Sequence, residues 1–259
     1  LNFNAQLPDD TINVTSKSAF SELVWISGGL SLLIVIIYFS LGSLVEFTVK
    51  KISIEQEQKL FSFLHIDMFE PQKNTAQSLK LQNIVNSTKG CLTTKYNFII
   101  HLSDANETNA FAMPGGLIVI NEPIINTATS ENEIFFVLAH EMGHFQNRDH
   151  LEGIGRSFVS TALASILGLS DVSELLSVSL NFSESHFSQS RESQADIFAV
   201  DLMNCYYGHV AGATDFFTHL PDESSYRLFS SHPETKKRIK IINAHINEKH
   251  YLHKEIKSF

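Results

Sequence analysis

Residues 130–150 read Ser-Glu-Asn-Glu-Ile-Phe-Phe-Val-Leu-Ala-His-Glu-Met-Gly-His-Phe-Gln-Asn-Arg-Asp-His, and no other stretch restricts the chain as much. Within it, His140-Glu141-x-x-His144 is an H-E-x-x-H pattern. Positions four apart share one face of an α-helix, so both imidazoles can be aimed at one point. Two neutral imidazoles at that spacing suit Zn²⁺, and the adjacent Glu141 can take a proton from a water that the metal activates. The chemistry requires a helix, and the local residues predict one. Ser130 followed by Glu133 makes a capping box, and Ile134, Val137 and Leu138 give an apolar face. A five-residue string also arises by chance in a chain with 12 histidines, so its surroundings must decide whether it binds metal.

The missing element is a third ligand, and two residues compete for it. His150 lies ten positions after His140, the spacing of the longer H-E-x-x-H-x-x-G-x-x-H pattern. That pattern turns sharply at a glycine, and here the position is Asn147, the next best residue for a left-handed turn. The rival is Glu192, with Asp196 one helical turn later. One carboxylate on the metal and a second holding an imidazole is a common division of labour in such sites. Arg191 beside the pair supplies a positive charge that favours an ionised carboxylate.

The rest of the chain bounds the setting. From Leu23 to Val45 there are 23 residues without a charge, and about 20 apolar residues suffice to cross a bilayer as a helix. Trp25 and Tyr38-Phe39 suit the two interfaces, so residues 23–45 are expected to contact membrane lipid. Lys50, Lys51 and Lys59 follow this run and only Lys17 precedes it, which leans the C-terminal part towards the cytoplasm. A net charge of −9 argues against nucleic acid as a partner. The two cysteines, Cys91 and Cys205, form no C-x-x-C pair and are expected to be buried thiols.

The expected organisation is an N-terminal tail (1–22), a transmembrane helix (23–45), a juxtamembrane connector (46–74) and a catalytic domain (75–259). Within the last, residues 75–88 predict a helix ending near Gly90. Residues 96–102, 110–113 and 117–120 read as strands, the latter two joined by Pro114-Gly115-Gly116, which suggests a small antiparallel sheet. If residues Asn109, Ala110, Phe111, Ala112 and Met113 form its exposed edge, they can hold a substrate backbone by strand addition. Residues 154–169 read as a buried or interfacial helix, and further helices follow from 171 onwards.

Four motifs in order, His140-Glu141-x-x-His144, Glu192-x-x-Ala195-Asp196, Asn109-Ala-Phe-Ala-Met-Pro-Gly-Gly116 and Ser231-His232-Pro233, resemble the HtpX-like and CAAX-prenyl-endopeptidase-like zinc metallopeptidases over roughly residues 75–245. The resemblance implies a gluzincin: a mainly α domain with a small β-sheet (α+β), here preceded by one N-terminal transmembrane helix. It implies one Zn²⁺ per chain on His140, His144 and Glu192, with Glu141 as general base. Asp196 becomes the residue that orients an imidazole, His232 the donor to the transition-state oxyanion, and Arg238 a structural neighbour of the site. Many members carry Arg-His directly after the metal helix, whereas this chain has Arg148-Asp149-His150. The implied function is a membrane-anchored endopeptidase acting on protein or peptide substrates in membrane-protein quality control, expected in a bacterial inner membrane. A catalytically quiet zinc-bound membrane chaperone or scaffold is the alternative, against which the intact Glu141 argues, since a purely structural site needs no base. A zinc hydrolase for non-peptide substrates is a third possibility, with no binding pattern in its favour.

Overall fold

The computed structural model describes residues 18–49, 51–67, 75–151, 188–219 and 235–259. The expected helix at 154–169, and His232 with its neighbours, lie outside the described residues. Helix α1 spans Ala19–Val49, longer than the 23–45 expected. Its Ala19–Val45 portion is long and apolar enough to cross a membrane and has no buried share, with Trp25 80% and Phe20 74% exposed. An apolar helix of this length with no buried share among the described residues is a candidate membrane span.

Helix α2 (Ile54–Asp67) follows, then α3 (Ala76–Ser87) with a 3₁₀ turn at Thr88–Gly90. Thr75 caps α3 by accepting from the Ser78 N–H. Three strands come next: β1 (Ile99–Ser103), β2 (Ala110–Met113) and β3 (Leu117–Asn121), in the order β1-β3-β2. The hairpin joining β2 to β3 is antiparallel as expected, pairing Ala110 with Ile120 and Met113 with Leu117. The sheet as a whole is mixed, because β1 runs parallel to β3, pairing Ile99 with Leu117. The outer edge of β1 is covered: the Gln82 side chain of α3 donates to the Phe98 carbonyl and accepts from the Ile100 N–H. Strand β2 forms the other edge of the sheet. Gly116, at φ 93°, closes the hairpin where a β-carbon would meet the Asn97 carbonyl oxygen at 2.6 Å; only glycine is free of both penalties.

The short α4 (Glu122–Thr127) leads into α5 (Glu131–Asn147). Half of the expected capping box forms, the Glu133 N–H donating to Ser130 Oγ; the return bond is displaced by one residue, Glu133 Oε2 accepting from the Thr129 N–H and hydroxyl before the cap. The helix is more deeply set than a single apolar face predicts, since residues Glu131 to Phe145 are all buried. Its polar first turn is satisfied from the C-terminus, where Lys257 Nζ donates to Glu131 and the Lys257 N–H to Asn132 Oδ1.

Helix α6 (Gln189–Tyr207) packs across α5, followed by α7 (Asp215–His219) and α8 (Thr235–Lys249). The crossing is tight at one point, where a β-carbon on Gly143 would lie 2.8 Å from Ala195 Cα. The absent side chain lets the two helices approach closely enough to share one cluster of polar groups. Cys91 and Cys205 are joined by a disulfide, which corrects the expectation of two buried thiols. It links the segment after α3 to α6 across a sequence separation of 114 residues, so no local pattern announces it.

Candidate active site

One turn of α5 presents His140 and His144, and the first turn of α6 brings Glu192 beside them, all three buried. His140 Nε2 lies 3.2 Å from His144 Nε2 and 3.4 Å from Glu192 Oε2; His144 Nε2 lies 3.5 Å from Glu192 Oε1. These three residues could hold a metal ion. Each imidazole has a carboxylate on its other nitrogen. His140 Nδ1 is 2.9 Å from Asp196 Oδ1, and His144 Nδ1 is 3.1 Å from Asp149 Oδ2. A carboxylate there accepts the Nδ1–H and leaves the Nε2 lone pair facing the cluster.

Arg238 of α8 closes the site from behind. Its Nε and Nη2 donate to Asp196 at 2.8 and 2.6 Å, its Nη1 stands 3.4 Å from Glu192, and its guanidinium lies over the Phe217 ring. Burial pushes the Asp196 carboxyl up, but the Arg238 charge and hydrogen bonds, with His140, outweigh it and hold the pKa at about 2. Burial and Arg238 push His140 down, yet hydrogen bonds to Asp196 and Glu192 lift it to about 9. His144 moves the other way, because its burial outweighs the hydrogen bond to Asp149.

Glu141 is buried next to His140 and lines a mainly apolar pocket with Phe136, Val137, Phe216, Phe217 and Arg238. Strand β2 packs against α5, and its register fixes which backbone groups face its outer edge. Asn109 O accepts from the Asn121 N–H, so alternate residues 111 and 113 also bond to β3, leaving those of Ala110 and Ala112 for the edge. The buried Asn109 Oδ1 has no hydrogen-bond partner among the described residues.

The structure thus brings together His140, His144, Glu192, Asp196 and Glu141. His150 is turned elsewhere: its Nε2 is 2.8 Å from Glu57 Oε1, and its Nδ1 faces the His144 carbonyl at 3.4 Å. The left-handed residue after α5 is Arg148 (φ 61°), not Asn147. That one-residue shift is what turns Asp149 towards His144. Arg191 reaches Asp149 at 3.3 Å, and the cation on the Glu192–Asp196 pair is Arg238 instead. Sequence reasoning missed Asp149 and Glu57. A signal for Asp149 did exist, an acid placed just past the last turn of a two-histidine helix.

Comparison with known proteins agrees with this geometry. The sequence profile of peptidase family M48 matches residues 72–246. The metalloprotease LoiP of Escherichia coli is 29% identical over 176 residues, covering 64% of this chain and 69% of LoiP. The mitochondrial metalloendopeptidase OMA1 of Arabidopsis thaliana is 30% identical over 138 residues, 52% of this chain and 28% of OMA1. The metalloprotease YcaL of E. coli is 25% identical over 166 residues, 59% of this chain and 63% of YcaL. With a buried His-His-Glu cluster in the matched region, the chain belongs to peptidase family M48, metal-dependent hydrolases of the peptide bond.

Proposed function

We propose that the protein is a membrane-anchored zinc endopeptidase that cuts locally unfolded protein segments, with His140, His144 and Glu192 as ligands of one zinc ion and Glu141 as general base. The observation that carries this reading is the 3.2–3.5 Å spacing of the three ligand atoms. Tetrahedral zinc with bonds of about 2.0–2.1 Å sets neighbouring ligand atoms roughly 3.3–3.4 Å apart. Two imidazoles and a carboxylate are also the donor set of hydrolytic zinc sites, which leave the fourth position open.

Zinc held there supplies Lewis acidity, polarising the scissile carbonyl and lowering the pKa of a water towards ~7. Glu141 accepts the proton of the attacking water and passes it to the leaving amine. Asp196 and Asp149 fix the two imidazoles in the tautomer that keeps Nε2 available. The edge of β2 holds the substrate backbone extended, and Asn109 Oδ1, without a partner among the described residues, is an acceptor for one of its N–H groups. His232 is assigned the oxyanion on the strength of the motif resemblance; such a donor is worth ~2.7–4 kcal/mol. Recognition through backbone demands an extended chain, which fits quality control of damaged or unassembled membrane proteins.

The α1 helix is read as the anchor, with its apolar surface in lipid. The lysines after it lean the domain towards the cytoplasm, whereas the Cys91–Cys205 disulfide fits an oxidising compartment. The disulfide outweighs the lysines, because long domains cross membranes largely regardless of flanking charge. Gel mobility after thiol alkylation of intact cells, with and without reductant, decides the side: unreduced protein that resists alkylation supports it, and free thiols in fresh lysate oppose it.

Glu141→Gln tests the catalytic reading. The variant is expected to keep one zinc per chain and lose casein cleavage almost entirely. Substantial cleavage with zinc bound would place the proton acceptor elsewhere, and a wild-type protein that binds zinc without cleaving would favour the scaffold reading.

A further inference from the structure

We propose that Glu57, on the helix next to the membrane span, is a positioning residue for the peptidase reaction, holding at once the turn behind the metal helix and the turn of the substrate-binding hairpin. Helix α2 was expected to be a connector, yet Glu57 is fully buried in the catalytic domain. Its carboxylate collects donors from three distant parts of the chain. Oε1 accepts from the Gly115 N–H at 2.9 Å and pairs with His150 Nε2 at 2.8 Å. Oε2 accepts from the Tyr96 hydroxyl and from Arg148 Nη2 at 2.9 Å.

The arrangement at residues 148–150 links this group to the metal cluster. Arg148 and His150 point to Glu57, and Asp149 between them points the other way, to His144 Nδ1 at 3.1 Å. Glu57 therefore grips both neighbours of the residue that orients a metal imidazole. Arg148 also donates to the Ile52 carbonyl, just before α2. It holds a left-handed backbone (φ 61°) that disfavours side-chain-bearing residues, so the turn depends on these contacts. The other arm ends at Gly115, in the turn that closes β2. Gln58, the next residue of α2, adds bonds from its amide to the Gly115 and Asn97 carbonyls at 3.3 Å each. Only four residues separate α1 from α2, so the membrane anchor leads straight into the element that sets the geometry of the site. Glu57 touches neither substrate nor metal; it acts through Asp149 and Gly115.

The inference rests on the proposal that His144 is a metal ligand. The test uses the full chain in detergent, with casein as substrate and zinc competed by a chromophoric chelator. The variants are Glu57→Gln, Asp149→Asn, the double variant, and Arg148→Gly. Loss of a group that supports a ligand typically lowers metal affinity or activity by ~10–100-fold. Glu57→Gln is expected to lose that much in kcat or zinc affinity. In zinc affinity the double variant should be no worse than Asp149→Asn alone, because there both act on one imidazole. A purely structural Glu57 would lower the melting temperature while leaving kcat and zinc affinity unchanged, or would combine additively with Asp149→Asn in zinc affinity; either result overturns the proposal. Arg148→Gly keeps it falsifiable should Glu57→Gln not fold. Glycine suits the left-handed backbone, so folding is preserved while the bridge to Glu57 is lost. Reduced kcat or zinc affinity there supports the proposal, and wild-type values refute it. A wild-type protein without zinc would refute the metal reading itself, which the same titration records separately.

Discussion

Gly143→Ala sets two ordinary rules against each other. In a helix interior, replacing glycine by alanine alone stabilises by about 1 kcal/mol. Here the new β-carbon would lie 2.8 Å from Ala195 Cα and 3.1 Å from the Ala195 carbonyl oxygen. The obstacle is backbone, so no side chain can swing aside; α5 and α6 must part by roughly 0.6 Å to reach ordinary contact. Overpacking of this kind costs ~1–3 kcal/mol, leaving a net loss of about 0–2 kcal/mol. The effect on metal is sharper. Glu192 rides on α6 and the histidines on α5, while ligand distances tolerate only about ±0.2 Å. Zinc affinity is expected to fall on the order of 10–100-fold, as it does when a ligand's support is lost. The assay is a zinc titration of metal-free protein against a chromophoric chelator, with thermal melts of the same samples. A variant that melts higher and binds zinc as tightly as wild type would refute the claim that this crossing sets the site.

Three further outcomes are expected. Glu192→Ala should lose zinc and His150→Ala retain it on elemental analysis; the reverse would mean that the third ligand is His150. Removing residues 1–45 should give a folded protein that needs little detergent, whereas removing 1–74 also takes Glu57 and leaves buried donors unpaired at ~1–3 kcal/mol each; equal melting temperatures for the two would contradict this. Burial pushes the Glu57 carboxyl up, but His150, Tyr96 and Gly115 outweigh it and lower the pKa from 4.5 to about 2. A depressed carboxylate stabilises above its unfolded pKa and loses that stability as pH falls through the folded one, so wild type should lose about 3 kcal/mol between pH 4.5 and 2. Glu57→Gln lacks this loss, and parallel urea-denaturation profiles over that range would refute the assignment.

The metal helix was legible because its determinants are local. The capping box spans four residues, the histidines are one turn apart, and Glu192 and Asp196 share a helical face by the same periodicity. The hairpin was equally legible from Pro114-Gly115-Gly116. What failed to show were features set by long-range register. A left-handed turn at Asn147 was a reasonable expectation, but the structure places it at Arg148, with Asp149 on the His144 imidazole and the His150 Nε2 on Glu57. Arg148 holds that conformation through Glu57, 91 residues away. The parallel pairing of β1 with β3 and the Cys91–Cys205 bond likewise depend on how separate segments meet. Residue type alone carries no trace of that.

Anomalous diffraction at the zinc edge, from crystals of the full chain, tests the metal site most directly. One peak per chain is predicted, within about 2.0–2.2 Å of His140 Nε2, His144 Nε2 and a Glu192 carboxylate oxygen. A peak ligated by His150, or no zinc at these residues in an active preparation, would contradict the site described above.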